Sequence, residues 1–434
     1  MGGMNRSRNI ARRRLLLAAV SVAVAQRATA QDACPATAAF AGIGDINIVS
    51  NSYPATVHIA KQAEACQRPG MKVAFKLTPT ARVEVEQAFG SPGRSPFDAA
   101  IVAMGQFSAL YAKGLLASLT SLVQRFGARY GLEDRMLVRV DGEVMAIAFQ
   151  LNTQCLYYRA DLFEKHRLRV PTTYAEMAQA AAVLQRDESS IQFPIAQGFA
   201  KGFDVATEFT NVLGSLGGRY FVPGSARPDF QGERGVAAVQ AMRTLMPYMT
   251  PNALASNSDD VVNQFQQGKA AMGVLWASRA SRMDDPAASK VVGRMQFAAA
   301  PAAVAGGRTA SHLWWDGVVM PRNALRGPNA AARQEASFHV LMHALSEQSV
   351  RVGNDLLIWV RGAYRPGRFG TGVALAQAAG AVQWPGEPFF ALAHGEIGKV
   401  LPDALTGGRP VAAALEAAAA RYARIAAEKG FLGA

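Results

Sequence analysis

The stretch Asp45-Ile46-Asn47-Ile48-Val49-Ser50-Asn51-Ser52-Tyr53-Pro54, with the helical run at 55–65 behind it, decides the fold class. Its first five residues are rich in the β-branched types that favour a strand. The Ser-Asn-Ser-Tyr segment stops that strand. Pro54 then suits the first turn of a helix, where its missing N–H would have no partner. The same unit recurs. Lys72-Val73-Ala74-Phe75-Lys76-Leu77 is a second strand and Phe97-Asp98-Ala99-Ala100-Ile101-Val102 a third. A helix from about Gln106 ends at Lys113-Gly114, where glycine takes the left-handed cap. Short strands alternating with helices specify an α/β architecture. Ligands of open sheets bind at the loops after the strands' carboxyl ends. Ser50, Asn51, Ser52 and Tyr53, with Gly105 and Gln106, are therefore the first candidate contacts.

The pattern continues downstream. Residues 143–149 and 154–158 are β-like and flank the polar Gln150-Leu151-Asn152-Thr153. Helices at about 173–186 and 205–217, with the Gly217-Gly218 turn, belong to a second α/β unit. A strand at 313–320 closes at Pro321, a helix covers 331–346, and an Ala-rich helix covers 410–428. No solenoid-length repeat is present.

The amino terminus reads as an export signal. Arg6, Arg8, Arg12, Arg13 and Arg14 precede an apolar stretch at 15–25 that is too short to span a bilayer. Ala28-Thr29-Ala30 offers a small-x-small cleavage pattern, so the cut is expected after Ala30 and the location periplasmic. Arg12-Arg13 before Leu15-Leu16 resembles a twin-arginine signal, and both the Sec and Tat routes stay open. Six of the 45 Lys and Arg and none of the 32 Asp and Glu precede residue 31, so cleavage leaves 39 basic against 32 acidic residues. That mild excess, without a basic block interleaved with aromatics, argues against nucleic acid as a partner. Some 404 residues then remain of 434, more than one core usually supports, so two domains are expected. Of the three cysteines, Cys34 and Cys66 are placed to pair in an oxidising compartment, the alternative being a free thiol at Cys34. Cys155 lies in an apolar run and reads as core.

Several segments, in one order over residues 45–425, resemble the family 1 extracellular solute-binding proteins of ABC importers, the group that includes maltose-binding protein. They include Phe97 to Val102 with Ala112-Lys113-Gly114-Leu115-Leu116-Ala117-Ser118-Leu119, and Asn152-Thr153-Gln154-Cys155-Leu156-Tyr157-Tyr158-Arg159-Ala160-Asp161-Leu162-Phe163. Val170-Pro171-Thr172-Thr173-Tyr174-Ala175-Glu176-Met177 and Gly407-Gly408-Arg409-Pro410-Val411 also fit. Phe265-Gln266-Gln267-Gly268-Lys269-Ala270-Ala271-Met272 is the most specific match. The resemblance implies a two-lobed, type II-like fold. Each lobe would be a mostly parallel sheet flanked by helices, and three chain crossings would form a hinge. It places the crossings near 149–155, 310–316 and 357–363. Lobe one would be 42–150 with 313–356, and lobe two 156–309 with 360–434. It also implies a monomer that needs no cofactor or metal and hands a small solute to ABC permease subunits.

Hinge closure requires contacts from both lobes. The resemblance therefore adds Asn152 and Gln154 at the first crossing and Trp276 and Ser278 after the Gln-Gln-Gly-Lys signature. Trp314, Trp315 and Asp316 follow at the second crossing, and Trp359 and Arg361 at the third. Aromatic faces match the C–H faces of sugars, and amides and carboxylates match their hydroxyls. A sugar or polyol is therefore favoured. Because Trp314 and Trp315 alternate along a strand, one of them must face a core. Arg361 is the counter-signal, since a guanidinium fork at the cleft suits an anion. The chain also lacks the acidic residue that sugar binders of the family often carry near 105 or 152.

Enzyme signatures are missing: no Gly-x-Ser-x-Gly, His-Glu-x-x-His, phosphate loop or Cys-x-x-Cys occurs. His339 and His343 share a helix face without an evident third ligand, and a structural or solvated role is expected for them. A ligand-sensing or accessory role beside a periplasmic enzyme or sensor remains the alternative on the same fold.

Overall fold

The computed structural model describes Cys34 and residues 38–356, 358–362 and 364–432; the export segment read at 1–30 lies outside them. Twelve strands occur among the described residues: β1 (Ile46–Ser50), β2 (Val73–Leu77), β3 (Ala99–Ala103), β4 (Leu137–Val140), β5 (Glu143–Asn152), β6 (Gln154–Arg159), β7 (Phe193–Ile195), β8 (Ala270–Trp276), β9 (Met295–Ala299), β10 (His312–Val319), β11 (Ile358–Trp359) and β12 (Val382–Gln383). They form two sheets. The larger runs β11-β5-β10-β3-β1-β2, with β4 beside β5 and β12 beside β10, and the smaller runs β7-β8-β6-β9.

The β-rich runs are buried on both faces. Ile46 and Ile48 of β1 join Ile101 of β3 and Val318 of β10 in one core. Val49, Ala100, Val102 and Val319 face the opposite one. In the smaller sheet Leu156 turns to one core and Cys155 and Tyr157 to the other. Helices cover all four faces. Thr173 caps the helix Tyr174–Asp187 by accepting from the Glu176 amide at 3.1 Å, and Glu176 reciprocates to Thr173 N. Asn257 caps Ser258–Gln266 in the same manner. Gly268 then takes φ +70° and turns the chain into β8, which accounts physically for the Gln-Gln-Gly-Lys signature.

The sheets are mixed rather than mostly parallel. β1 pairs in parallel with β2 and β3, but β10 runs antiparallel to both β3 and β5. β6 likewise runs antiparallel to β8 and β9. The cause is the path of the chain. β5 leaves the larger sheet as β6 enters the smaller, and β10 comes back beside β5, so it must run the other way. The polar segment 150–153 is correspondingly not a loop: β5 continues to Asn152 because Gln150 and Leu151 pair with both β10 and β11.

Where the chain passes between the sheets, its polar groups are joined without charge. Thr153 Oγ1 meets Ser311 Oγ and donates to His312 O at 2.8 Å, and Ser311 Oγ donates to Gln154 O at 2.6 Å. Asn211, from the buried helix Phe203–Ser215, donates to the Gln154 side chain. That leaves its own carbonyl to accept from His312 Nδ1 at 2.9 Å. Burial holds His312 neutral, pushing its pKa down to about 4. On the same helix Glu208 accepts from Gln197 at 2.7 Å, and burial pushes its pKa up to about 8.

The segment after β11 is fastened to the larger unit. Arg361 is 3% exposed. Its guanidinium donates to the carbonyls of Leu345 (2.7 Å), Gly131 (3.0 Å) and Tyr130 (2.9 Å), while Gly362 N donates to Glu133. At the other end of this unit Cys34 and Cys66 form a disulfide, with 5.0 Å between Cα atoms. His339 is buried in the same unit, with Tyr130 Oη 2.6 Å from its Nδ1.

Two outcomes follow from these buried groups. Arg361→Ala leaves three carbonyls without their donor and should cost about 2–4 kcal/mol in urea denaturation, with Arg361→Lys restoring only part because it lacks the fork. Glu208 has a folded pKa above its ordinary 4.5. Its contribution to stability is therefore complete below pH 4.5 and lost as pH rises towards about 8. Glu208→Gln should flatten that part of the stability–pH curve and exceed the wild type at pH 8 and above.

Candidate ligand-binding site

A cavity of about 390 Å³ opens at the carboxyl ends of β1 and β3 and faces elements of the smaller-sheet unit. From the larger sheet come Asn51, Ala103, Gly105 and Gln106. Facing them are Gly202 and Phe203, the segment after β12 from Trp384 to Pro388, and Phe390, Ala391 and His394 of the helix Phe390–Thr406. Trp314 of β10 forms part of the wall. Such a volume falls within the ~300–1,000 Å³ usual for small-molecule sites.

The wall is aromatic. Trp314 and Trp384 lie with ring centroids 4.2 Å apart at an interplanar angle of 35°. Phe203 meets Trp314 edge-on at 6.3 Å, and Trp276 meets it from behind at 5.4 Å. Trp384 is held by its backbone and its ring. The pairing of β12 with β10 fixes its backbone, and Trp384 N donates to Leu313 O at 3.0 Å. His312 and His394 each stand edge-on to its indole at 5.6 Å. Phe203 is placed by a close approach between helices. Gly202, at φ +99°, starts the helix Phe203–Ser215 so near Gly398 that a Cβ on Gly398 would lie 2.2 Å from Gly202 O.

Polar groups are few and directed. Gln106 donates to Arg82 O at 3.0 Å, which orients its carboxamide beside the cavity. Arg82, Ser108 and Glu387 complete the rim. Burial pushes the His394 pKa down to about 3, with Arg82 adding to the effect, so the imidazole is neutral. Tyr53 and Asp316 are half-buried and bonded to each other, and burial pushes the Asp316 pKa up to about 7. No group of three or more His, Cys, Asp or Glu among the described residues is arranged to hold a metal ion.

Of the sequence-derived candidates, Asn51, Gln106 and Trp314 line the cavity. Tyr53 and Asp316 form their own pair, and Trp276 backs Trp314. Asn152 and Ser278 bond each other in both directions at 3.1 Å, clamping the first crossing to the turn after β8. Gln154 is buried in the join with Asn211. Trp315 points to the opposite face of β10, where it meets Phe107 at 5.2 Å. Ser52 is exposed and outside the lining. Trp359 and Arg361 do not reach the cavity. Trp359 is a core residue whose indole donates to Gly353 O at 3.3 Å, and the Arg361 fork is spent on carbonyls.

Sequence reasoning missed Trp384, Phe203, Arg82, Glu387 and His394. Trp384 had a signal: it stands in Trp384-Pro385-Gly386-Glu387-Pro388, a turn-forming stretch with no helical or strand face to fill. Phe203 shows itself only as a large ring that is 46% exposed at the cavity mouth.

A model of the bacterial extracellular solute-binding protein family matches residues 47–324. The mannitol-binding protein of Pseudomonas aeruginosa is 28% identical over 213 residues, 47% of this chain and 48% of that protein, so the chain matches about half the length of this curated relative. An ABC transporter solute-binding protein of Agrobacterium radiobacter K84, solved in complex with ribitol, superposes with a TM-score of 0.73 at 22% identity, covering 88% of this chain and 99% of that one. One from Agrobacterium vitis S4 with bound D-mannitol gives 0.73 at 19% identity, covering 89% and 99%. At such identities the structural likeness speaks for a shared two-lobed fold. With the family match spanning well over half of its length, this chain belongs to the bacterial extracellular solute-binding proteins.

Proposed function

We propose that this protein is the extracytoplasmic substrate-binding component of an ABC importer, and that it captures a neutral polyol or sugar in the cavity between its two sheets. The observation that carries the reading is the Trp314–Trp384 wall, which lines a cavity of about 390 Å³ together with Asn51, Ala103 and Gln106 at the strand ends and Phe203 and His394 from two helices. An aromatic face packs against the C–H groups of a polyhydroxylated carbon chain, and the few polar groups around it orient the hydroxyls. That relatives are named for mannitol or were solved with ribitol and mannitol supports the same ligand class.

In this reading the two sheets head two lobes, and the crossings near 149–155, 310–316 and 357–363 form the hinge that closes on the solute. The protein is secreted to the periplasm after cleavage behind Ala30 and acts as a monomer. It delivers its solute to permease subunits and catalyses no reaction. Among the described residues no helix is long and apolar enough to cross a membrane. Arg361, the sequence feature that favoured an anionic ligand, is occupied elsewhere.

A ligand that binds only the folded state raises the melting midpoint by mass action, corresponding to about 2.7 kcal/mol at a hundredfold excess over Kd. The mature chain should melt several degrees higher with ribitol, D-mannitol or a related neutral sugar and stay unshifted with sugar acids or sugar phosphates. Trp384→Ala should weaken the binding at least tenfold, about 1.4 kcal/mol, in titration calorimetry, and Trp384→Phe should recover much of it. Shifts confined to the anions, or none at all, would sink the reading.

A further inference from the structure

We infer that His394 is a specificity-determining residue of the cavity: its Nδ1 accepts a hydrogen bond from one hydroxyl of the bound solute. The inference rests on the solute-binding reading above and assigns one polar contact of that reading to one atom.

The tautomer of His394 is set by a neighbour. His394 Nε2 lies 3.4 Å from Thr207 Oγ1. Thr207 has a single hydroxyl proton and donates it to Phe203 O, one helical turn back, at 2.8 Å. Towards the imidazole Thr207 can therefore only accept, and its 1% exposure leaves no room for water to compete. The ring hydrogen of His394 accordingly sits on Nε2. Burial keeps the ring neutral, so it carries no second hydrogen and Nδ1 is left with a lone pair. No described residue bonds that atom, and it is not sealed in as the unpaired oxygens of Gln197 and Glu208 are.

The fold makes no use of Nδ1. Phe203 and Phe390 each meet the imidazole with 5.3 Å between ring centroids, and Trp384 meets it at 5.6 Å. These rings hold it in the cavity wall, which His394 lines. Packing of this kind would accept a phenyl ring equally well. A histidine satisfied as a core residue has both nitrogens partnered inside the protein; here one nitrogen is partnered and the other faces a space large enough for a solute.

Two groups on the facing wall are left in the same condition. Gln106 Nε2 donates to Arg82 O at 3.0 Å, which leaves the carboxamide oxygen open. Ser108 Oγ donates to Met104 O at 3.2 Å and keeps its lone pairs. Both residues line the cavity. Trp384 supplies the complement. Its indole N–H has no acceptor among the described residues, and a Cβ on Gly105, another lining residue, would lie 3.9 Å from that nitrogen. Asn51 adds a donor, as does Arg82, which stands 3.6 Å from Glu86. A carboxylate brings acceptors alone and leaves the lone pairs of His394, Gln106 and Ser108 unanswered. A hydroxyl donates and accepts, so it answers these lone pairs and the indole alike.

The test is titration calorimetry of the mature chain with D-mannitol, ribitol and the monodeoxy derivatives of whichever binds more tightly. One monodeoxy compound should bind the wild type about five- to tenfold more weakly than its parent, the effect of one neutral hydrogen bond. His394→Phe should weaken the parent polyol by the same factor and bind that monodeoxy compound as the wild type does, while its preferences at the other hydroxyls stay unchanged. His394→Asn offers a carboxamide oxygen in place of Nδ1 and should restore part of the lost preference. Should His394→Phe fail to fold, Thr207→Val takes its place: it frees the ring hydrogen to move to Nδ1 and should narrow the same preference. A polyol-binding wild type that treats every monodeoxy compound like its parent overturns the role of His394 alone, as does a His394→Phe or Thr207→Val protein that keeps the full preference. A wild type that binds neither polyol overturns the solute reading and this inference together.

Discussion

Two chain segments must pass side by side from one sheet to the other, and their polar groups must be satisfied where neither sheet covers them. Hydroxyls and carboxamides meet that constraint here. Thr153 and Ser311 reach across to the backbone of the opposite crossing, and Gln154, Asn211 and His312 continue the network into the smaller unit. A charged pair would also join two segments, but its desolvation in a dry interior offsets most of the attraction. The neutral join has no such cost and does not titrate near neutrality: burial holds His312 unprotonated down to about pH 4.

The cavity depends on this join. His312, fixed by Asn211, stands against Trp384, so the network that holds the crossings also seats the aromatic wall. A Cβ on Gly214 would lie 2.7 Å from the His312 ring, so the helix Phe203–Ser215 carries a glycine where that ring passes. The same helix presents Phe203 at the cavity mouth and Asn211 in the join, and it buries Glu208 between them. Local structure, buried polarity and the shape of the site are therefore properties of one helix and two crossings.

Much of the architecture was legible because its causes are local. The strand runs of β1 and β3, the helix start at Pro54 and the turn at Gly268 all act within a few residues. The candidate contacts Asn51 and Gln106 were legible for a related reason, since each directly follows a strand or opens the helix after it. What the sequence does not carry is the partner of a long side chain. Arg361 looks like an anion fork until the carbonyls of Tyr130, Gly131 and Leu345 are brought to it from two distant segments. Trp384 looks peripheral until β12 joins β10. Strand direction was misread for the same reason: β10 is antiparallel because the chain returns across the join, and composition does not record a return. The accord between local signals and global fold is the consistency expected of a foldable sequence, and departures gather where long-range contacts decide.

Under the proposed hinge, the remaining question is where the chain bends. The join around Thr153 and Ser311 is densely bonded and resists bending. On the larger-sheet side the β10–β5 ladder is interrupted between Asp316 and Gly317, where the register shifts past Phe149. A bulge removes a ladder bond and adds local twist. Gly317 lets the strands approach, since a Cβ on it would lie 2.9 Å from Ile147 O. Asp316 thus sits at the irregular step of the strand, with Tyr53 on its carboxyl and Trp314 two residues away on the cavity wall.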